Sequence, residues 1–223
     1  MRFASANVEK TIFTAPPASL TRWPSSMSDI QSVDLKNLDI LSPSISSIRK
    51  RLEAAFPSEQ TPLGIQSWFF LADLNPGQRY ELRICWIATQ PTSFNLKTYT
   101  ISSVVKSHTL SASLKAYVAV ERRHAGAQSA SQVASDKSSL LLAVDVSADY
   151  FTLNQTLMDH VPPVVADIIL DPYVFNVFPK SLIPIGIYIL LTSAIAWYLS
   201  CFVHSRVMGI IDNGTTKMRK KHD

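Results

Sequence analysis

The sequence predicts a mainly β, sandwich-like domain with one or two short helices, followed by one C-terminal transmembrane α-helix. Three observations carry that expectation. Residues 65–101 and 140–150 alternate apolar and polar side chains at the period of a strand. Between two of these runs lies a Pro-Gly turn that ends in tyrosine, at 74–80. Residues 182–203, LIPIGIYILLTSAIAWYLSCFV, contain no charge. At a helical rise they are long enough to cross a hydrocarbon core of roughly 30 Å. Core helices of soluble domains rarely stay apolar on every side over such a length.

In chain order, Lys10 to Ala15 is a short β-like run stopped by Pro16-Pro17, and Val33 to Leu41 alternates well enough for a second strand. Ser42-Pro43 has the form of a helix start, with serine as N-cap and proline in the first turn. Ile45, Ile48, Leu52 and Ala55 or Phe56 then recur on one helical face. Arg49-Lys50-Arg51 reads as the wet side of that helix, or else as a contact for anionic lipid heads. Trp68 to Leu71 is a buried strand and Tyr80 to Ala88 the next, with Leu82, Ile84 and Trp86 opposed to Glu81, Arg83 and Cys85. The turn between them, Leu-x-Pro-Gly-x-x-Tyr, resembles the E–F corner of fibronectin-type sandwiches. That resemblance implies a tyrosine hydroxyl bonded back to upstream backbone where the chain crosses between sheets. Phe94 to Val105 follows as a strand, and Leu110 to Glu121 fits helix slightly better than strand. His124 to Ser139 has the composition of a mobile loop, and Leu140 to Tyr150 is the cleanest isolated strand signal.

The expected organisation is residues 1–6 as the remnant of a signal peptide, 7–164 as a β-rich lumenal domain, 165–181 as a juxtamembrane segment, 182–203 as the span and 204–223 as a basic cytosolic tail. Arg2 and the small-x-small triplet Ala4-Ser5-Ala6 motivate the first boundary, although no apolar stretch separates them. Tyr173, Phe175 and Phe178 lie where interfacial aromatics are common.

Charge orients the chain. Asp167 and Asp171 oppose Lys180 just before the span; after it come five basic residues (Arg206, Lys217, Arg219, Lys220 and Lys221) against Asp212 and Asp223. Basic flanks stay cytoplasmic, which places the C-terminus in the cytosol and the large domain in a lumen. Lys220 and Lys221, fourth and third from the end, match the di-lysine signal read by coat-protein retrieval machinery, so the expected location is the endoplasmic-reticulum membrane. Asn154-Gln155-Thr156 is a glycosylation sequon on the lumenal side, whereas Asn213-Gly214-Thr215 falls on the cytosolic side. A tail-anchored protein with a cytosolic domain is the opposing topology.

Chemistry is sparse. The terminal KMRKKHD carries most of the net charge of +4, which leaves no basic stripe for nucleic acid. Cys85 lies in a strand and Cys201 in the span, so neither a disulfide framework nor a cysteine metal site is expected. No glycine-rich phosphate loop, GxSxG or HExxH occurs, and the five histidines are scattered. Asp145 and Asp149 are the nearest thing to paired carboxylates, on a strand face expected to meet solvent. No catalytic residue, cofactor or metal is expected. Thr192, Ser193, Ala194 and Ala196 form a small-residue patch of the kind that lets helices approach closely in lipid. Ser193, Ala194 and Ala196 are the candidate helix contacts.

The block from Trp68 to Phe94, WFFLADLNPGQRYELRICWIATQPTSF, taken with the span, resembles the fungal co-activator family of GPI mannosyltransferase II. The resemblance implies a non-catalytic partner of the multi-span enzyme that adds the second mannose to GPI precursors, and it carries over no catalytic residue. An early-secretory cargo receptor or membrane chaperone is one alternative, and a cytosolic tail-anchored tether is another.

Overall fold

A computed structural model describes residues 7–18, 38–124 and 137–219. The chain divides into two compact units, Met1–Pro179 and Lys180–Asp223.

The first unit is built from strands β1 (Val8–Thr14), β2 (Asp39–Leu41), β3 (Ser47–Leu52), β4 (Ile65–Leu74), β5 (Arg79–Trp86), β6 (Thr92–Tyr99), β7 (Ser138–Ala148), β8 (Val164–Val174) and β9 (Phe178–Pro179). Helices α1 (Ile101–Lys106) and α2 (His108–His124) separate β6 from β7, and α3 (Gln155–Asp159) precedes β8. One sheet has the order β1-β5-β8-β3, with β9 added to β8; the other has the order β2-β4-β7-β6. All pairings are antiparallel except β2 with β4.

Period-two alternation sorts the side chains into two cores. Phe69 and Leu71 of β4, Leu82 and Ile84 of β5, Leu142, Val144 and Val146 of β7 and Ile168 and Leu170 of β8 point between the sheets. The opposite faces of β4 and β7 supply Trp68, Leu141 and Ala143, which pack on Ile101 and Val104 of α1 and Leu114 and Val118 of α2. The domain is therefore a sandwich with a helical layer over one sheet. Gly64 permits a close approach just before β4: its φ is +80°, and a Cβ there would overlap the Val146 carbonyl.

The mainly β sandwich, the strands at 10–15, 68–71, 80–88 and 140–150, and the helix at 110–121 all agree with the sequence reading. Three segments differ. The helix expected from Ser42 is a turn followed by β3. Ser42 accepts from the Ile45 N–H at 3.0 Å, and Ile48 and Leu52 face the core at strand spacing. The strand expected at 94–105 ends at Tyr99, where Thr100 caps α1 by accepting from Ser103 N. Residues 165–181 are not a simple connector: β8 is hydrogen-bonded between β5 and β3, and the compact unit runs to Pro179. Of the strand expected at 33–41, only the part from Leu38 onward lies within the described residues, as β2. Most of the loop at 124–139 lies outside them.

The second unit is a short 3₁₀ turn (Lys180–Leu182) and helix α4 (Ile183–Arg219). Lys180–Gly209 is long and apolar enough to cross a membrane, with a mean hydropathy of 1.9 over its most apolar 18 residues. Helix α4 continues beyond residue 203, so the first part of the expected tail is helical. The Arg206 guanidinium lies 5.0 Å from the centre of the Phe202 ring, at the end of the charge-free stretch.

Candidate functional site

The β4–β5 crossing is built as its sequence implies. Gly77 adopts φ +76°, and the buried Tyr80 hydroxyl accepts from Asn75 N at 2.9 Å. That hydroxyl also donates to Gln78 Oε1 at 3.0 Å, and the Phe13 ring stacks 5.7 Å from the Tyr80 ring. Burial pushes the phenol pKa up, opposed by the bond from Asn75. The corner also grips the end of β8: Gln78 Nε2 donates to the Tyr173 carbonyl at 2.9 Å.

Asp145 is not on a solvent face. It is 6 % exposed, directly opposite Gln66 of β4 and Asn95 of β6. Gln66 Nε2 donates to Oδ1 at 2.7 Å and Asn95 Nδ2 to Oδ2 at 3.0 Å. Ser113 of α2 donates to Gln66 Oε1 at 2.6 Å and accepts from Trp68 Nε1 at 3.2 Å. The carboxylate therefore ends a polar chain that ties α2 to the sheet. A charge so fully engaged with fixed donors suits bracing better than proton transfer. Asp149 lies beyond the end of β7. A closer carboxylate pair escaped notice in the sequence: Glu81 and Asp171 are cross-strand neighbours, both buried. Lys10 and Arg83 lie 3.6 and 3.5 Å from Glu81. Only the β5–β8 register brings the two acids together, and they lie far apart in the sequence.

A second electrostatic tie closes one edge of the sandwich. Lys50 of β3 reaches Asp39 of β2 at 2.7 Å and Glu121 of α2 at 3.2 Å. Burial lowers its pKa, but the two carboxylates outweigh burial and the net shift is upward. Burial first, then Glu121 and Asp39, push the neighbouring Tyr117 phenol far above its usual range. Arg49 is exposed and pairs with Asp167 across β3 and β8. The basic run 49–51 is thus divided between the two faces of a strand.

Asn154 is exposed and caps α3, its Oδ1 accepting from Thr156 N at 3.1 Å. Beside it, Ala148, Tyr150, Leu157, Val161, Pro162 and Val164 help to line an apolar cavity of about 310 Å³. This cavity lies at the pole where β7 ends and β8 begins. The tyrosine corner and the end of β8 form the other pole, roughly 33 Å away along an eleven-residue strand.

Ser193, Ala194 and Ala196 are exposed on α4. Helical geometry puts Thr192, Ser193, Ala196 and Ser200 on one side, with Ala194 roughly 160° round from Ala196. The small ridge is therefore Thr192, Ala196 and Ser200 at four-residue spacing, and Ser200 was missed. The Thr192 hydroxyl is satisfied within the helix by the Tyr188 and Ile189 carbonyls. Lys220 and Lys221 lie outside the described residues. Both cysteines are free, and among the described residues no group of three or more His, Cys, Asp or Glu could hold a metal.

The fold and these surfaces define a β-sandwich domain followed, among the described residues, by one candidate membrane helix. A family model for GPI-mannosyltransferase II co-activators matches residues 1–150, and the chain belongs to that family. Membership gives it a co-activator role towards a mannosyltransferase. The match covers β1 to β7 and stops before β8, which completes the sheet containing the corner. No curated protein and no solved structure matches the chain.

Proposed function

We propose that this chain is a non-catalytic accessory subunit that binds and stabilises a multi-span mannosyltransferase in the endoplasmic-reticulum membrane, the enzyme adding the second mannose of the GPI anchor. The observation that carries the reading is the co-activator family match over residues 1–150. The polar networks support it, because Asp145, Lys50 and Arg49 each spend their charge on joining elements of the domain. The sandwich is lumenal and the C-terminus cytosolic, supported by the basic excess after the span, the Lys220-Lys221 tail for coat-protein retrieval and the exposed Asn154 sequon. Contact with the enzyme runs through α4 and the sandwich surface.

Affinity capture of the full chain in mild detergent tests the reading. A polytopic mannosyltransferase should co-purify, and its loss from the membrane when the chain is depleted should track loss of GPI-precursor mannosylation. Capture with no such enzyme would remove the proposal. Protease protection on sealed microsomes, with an endoglycosidase shift abolished by Asn154→Gln, tests the topology separately.

A further inference from the structure

The turn between β8 and β9 is built in an unusual way. Val177 N donates to the Val174 carbonyl at 3.1 Å, and the two residues between them, Phe175 and Asn176, have φ of +52° and +59°. Two positive φ values mark a primed hairpin turn, which asparagine and glycine enter cheaply and phenylalanine does not. The strained ring gains no packing in return, since Phe175 is 94 % exposed. Val177 and Phe178 beside it are also exposed.

The conformation is held from outside the turn. Asn176 Oδ1 accepts from Arg79 N at 2.8 Å, and its Nδ2 donates to the Gly77 carbonyl at 3.0 Å. Arg79 Nη1 donates to the Asn176 carbonyl at 3.3 Å, while its guanidinium covers Tyr173 at 5.3 Å. The tyrosine corner thus acts as a clamp that presents Phe175 to solvent in a fixed pose. Such cost without internal gain points outward.

We propose that this turn is a membrane-interface wedge, in which Phe175, Val177 and Phe178 enter the headgroup–acyl boundary of the bilayer that α4 crosses. The occupant is the lipid surface, and chain continuity argues for it. Phe178 lies five residues before Ile183, the start of α4, so even full extension keeps it within roughly 18 Å of the apolar helix. Exposed Arg79 beside the rings supplies a cation at the height of lipid phosphates, the pairing of basic and aromatic groups typical of this depth.

The proposal rests on reading α4 as a span, and the test separates the two. The full chain, with Cys85→Ser and Cys201→Ser, is reconstituted into phosphatidylcholine vesicles with an NBD label at Phe175→Cys, Leu190→Cys or Leu153→Cys. Label at 190 reports the span, and label at 153 reports the far pole, where Leu153 is 91 % exposed. The expected result is quenching at 175 by lipid-borne nitroxide over aqueous iodide that exceeds the ratio at 153 by about threefold or more. Iodide access at 175 equal to that at 153, with 190 in lipid, overturns the wedge and leaves the span. Aqueous exposure at 190 overturns both. Protection of 175 from both quenchers means a protein contact and also overturns the proposal. Phe175→Asn keeps a residue suited to the turn, so lipid quenching of a label at Val177→Cys should fall by about half or more in that background. Unchanged quenching there would equally overturn it.

Discussion

The Asn75 backbone N–H donates to the Tyr80 hydroxyl at 2.9 Å across the turn that carries the chain from one sheet to the other. Because Tyr80 is buried, its hydroxyl has no water to fall back on, and Asn75 N would lose its acceptor with it. Tyr80→Phe should therefore destabilise the domain by about 1–3 kcal/mol. Urea unfolding of the full chain in detergent, followed by tryptophan fluorescence, measures this. A change within error of zero would mean that the corner contributes geometry and no stability.

Asp145 gives a second, directional expectation. Asp145→Ala removes the acceptor of both Gln66 and Asn95, at about 2 kcal/mol, since those two residues are half-buried and can recover some water. Asp145→Asn keeps one acceptor and should cost less. Amide exchange ought to quicken in α2, which the chain holds through Ser113, more than in β5, which it does not touch. Mannosyltransferase co-activation should follow stability in both variants. Complete loss of co-activation in a stably folded Asp145→Asn would assign the carboxylate a chemical role.

The corner and β7 were legible because each is set by local information: a Pro-Gly-x-x-Tyr turn and an unbroken alternation. β3 was not. Ile45, Ile48, Leu52 and Phe56 satisfy helical spacing, and the alternation that wins is hidden by Lys50, a charge on the half-buried face that only Asp39 and Glu121 make acceptable. Pairing with β8 overrides the helical pattern. β8 was masked in turn by Asp171-Pro172. Its inward residues, Val164, Ala166, Ile168 and Leu170, alternate cleanly. Pro172 is tolerated because β3 ends opposite Ile169 and β9 begins opposite Tyr173, leaving β8 paired on one side there. On α4, composition revealed small residues, but only helical rotation shows that Ala194 faces away from Ala196.

Arg49 and Asp167 predict a pH response. The Arg49 hydrogen bonds, and then its charge, hold the Asp167 carboxyl below its ordinary range, with slight burial opposing. The carboxylate form is favoured in the folded state. The pair's contribution is therefore complete above the ordinary aspartate range and is lost as pH falls through the lowered value. Being exposed, the pair should matter little to overall stability. The NMR titration of the Asp167 side-chain carboxyl should return towards the ordinary value in Arg49→Met. A titration unmoved by that change would show that the bidentate geometry does not persist in solution.

The ridge on α4 predicts which span substitutions disturb a helix partner. Close approach in lipid needs small side chains on one face, and Thr192, Ala196 and Ser200 recur every four residues. Ala196→Leu inserts a bulky side chain in the middle of that face, while Ala194→Leu makes the same chemical change on the far side, where lipid accepts leucine freely. If α4 docks through the ridge, Ala196→Leu should reduce co-purification of the mannosyltransferase by about tenfold, the equivalent of about 1.4 kcal/mol of packing lost, and Ala194→Leu should leave it unchanged. Both variants keep the charge-free span, so membrane insertion and sandwich stability serve as internal controls. Equal loss from the two would place the contact elsewhere on the helix. No loss from either would leave the sandwich as the surface that holds the enzyme.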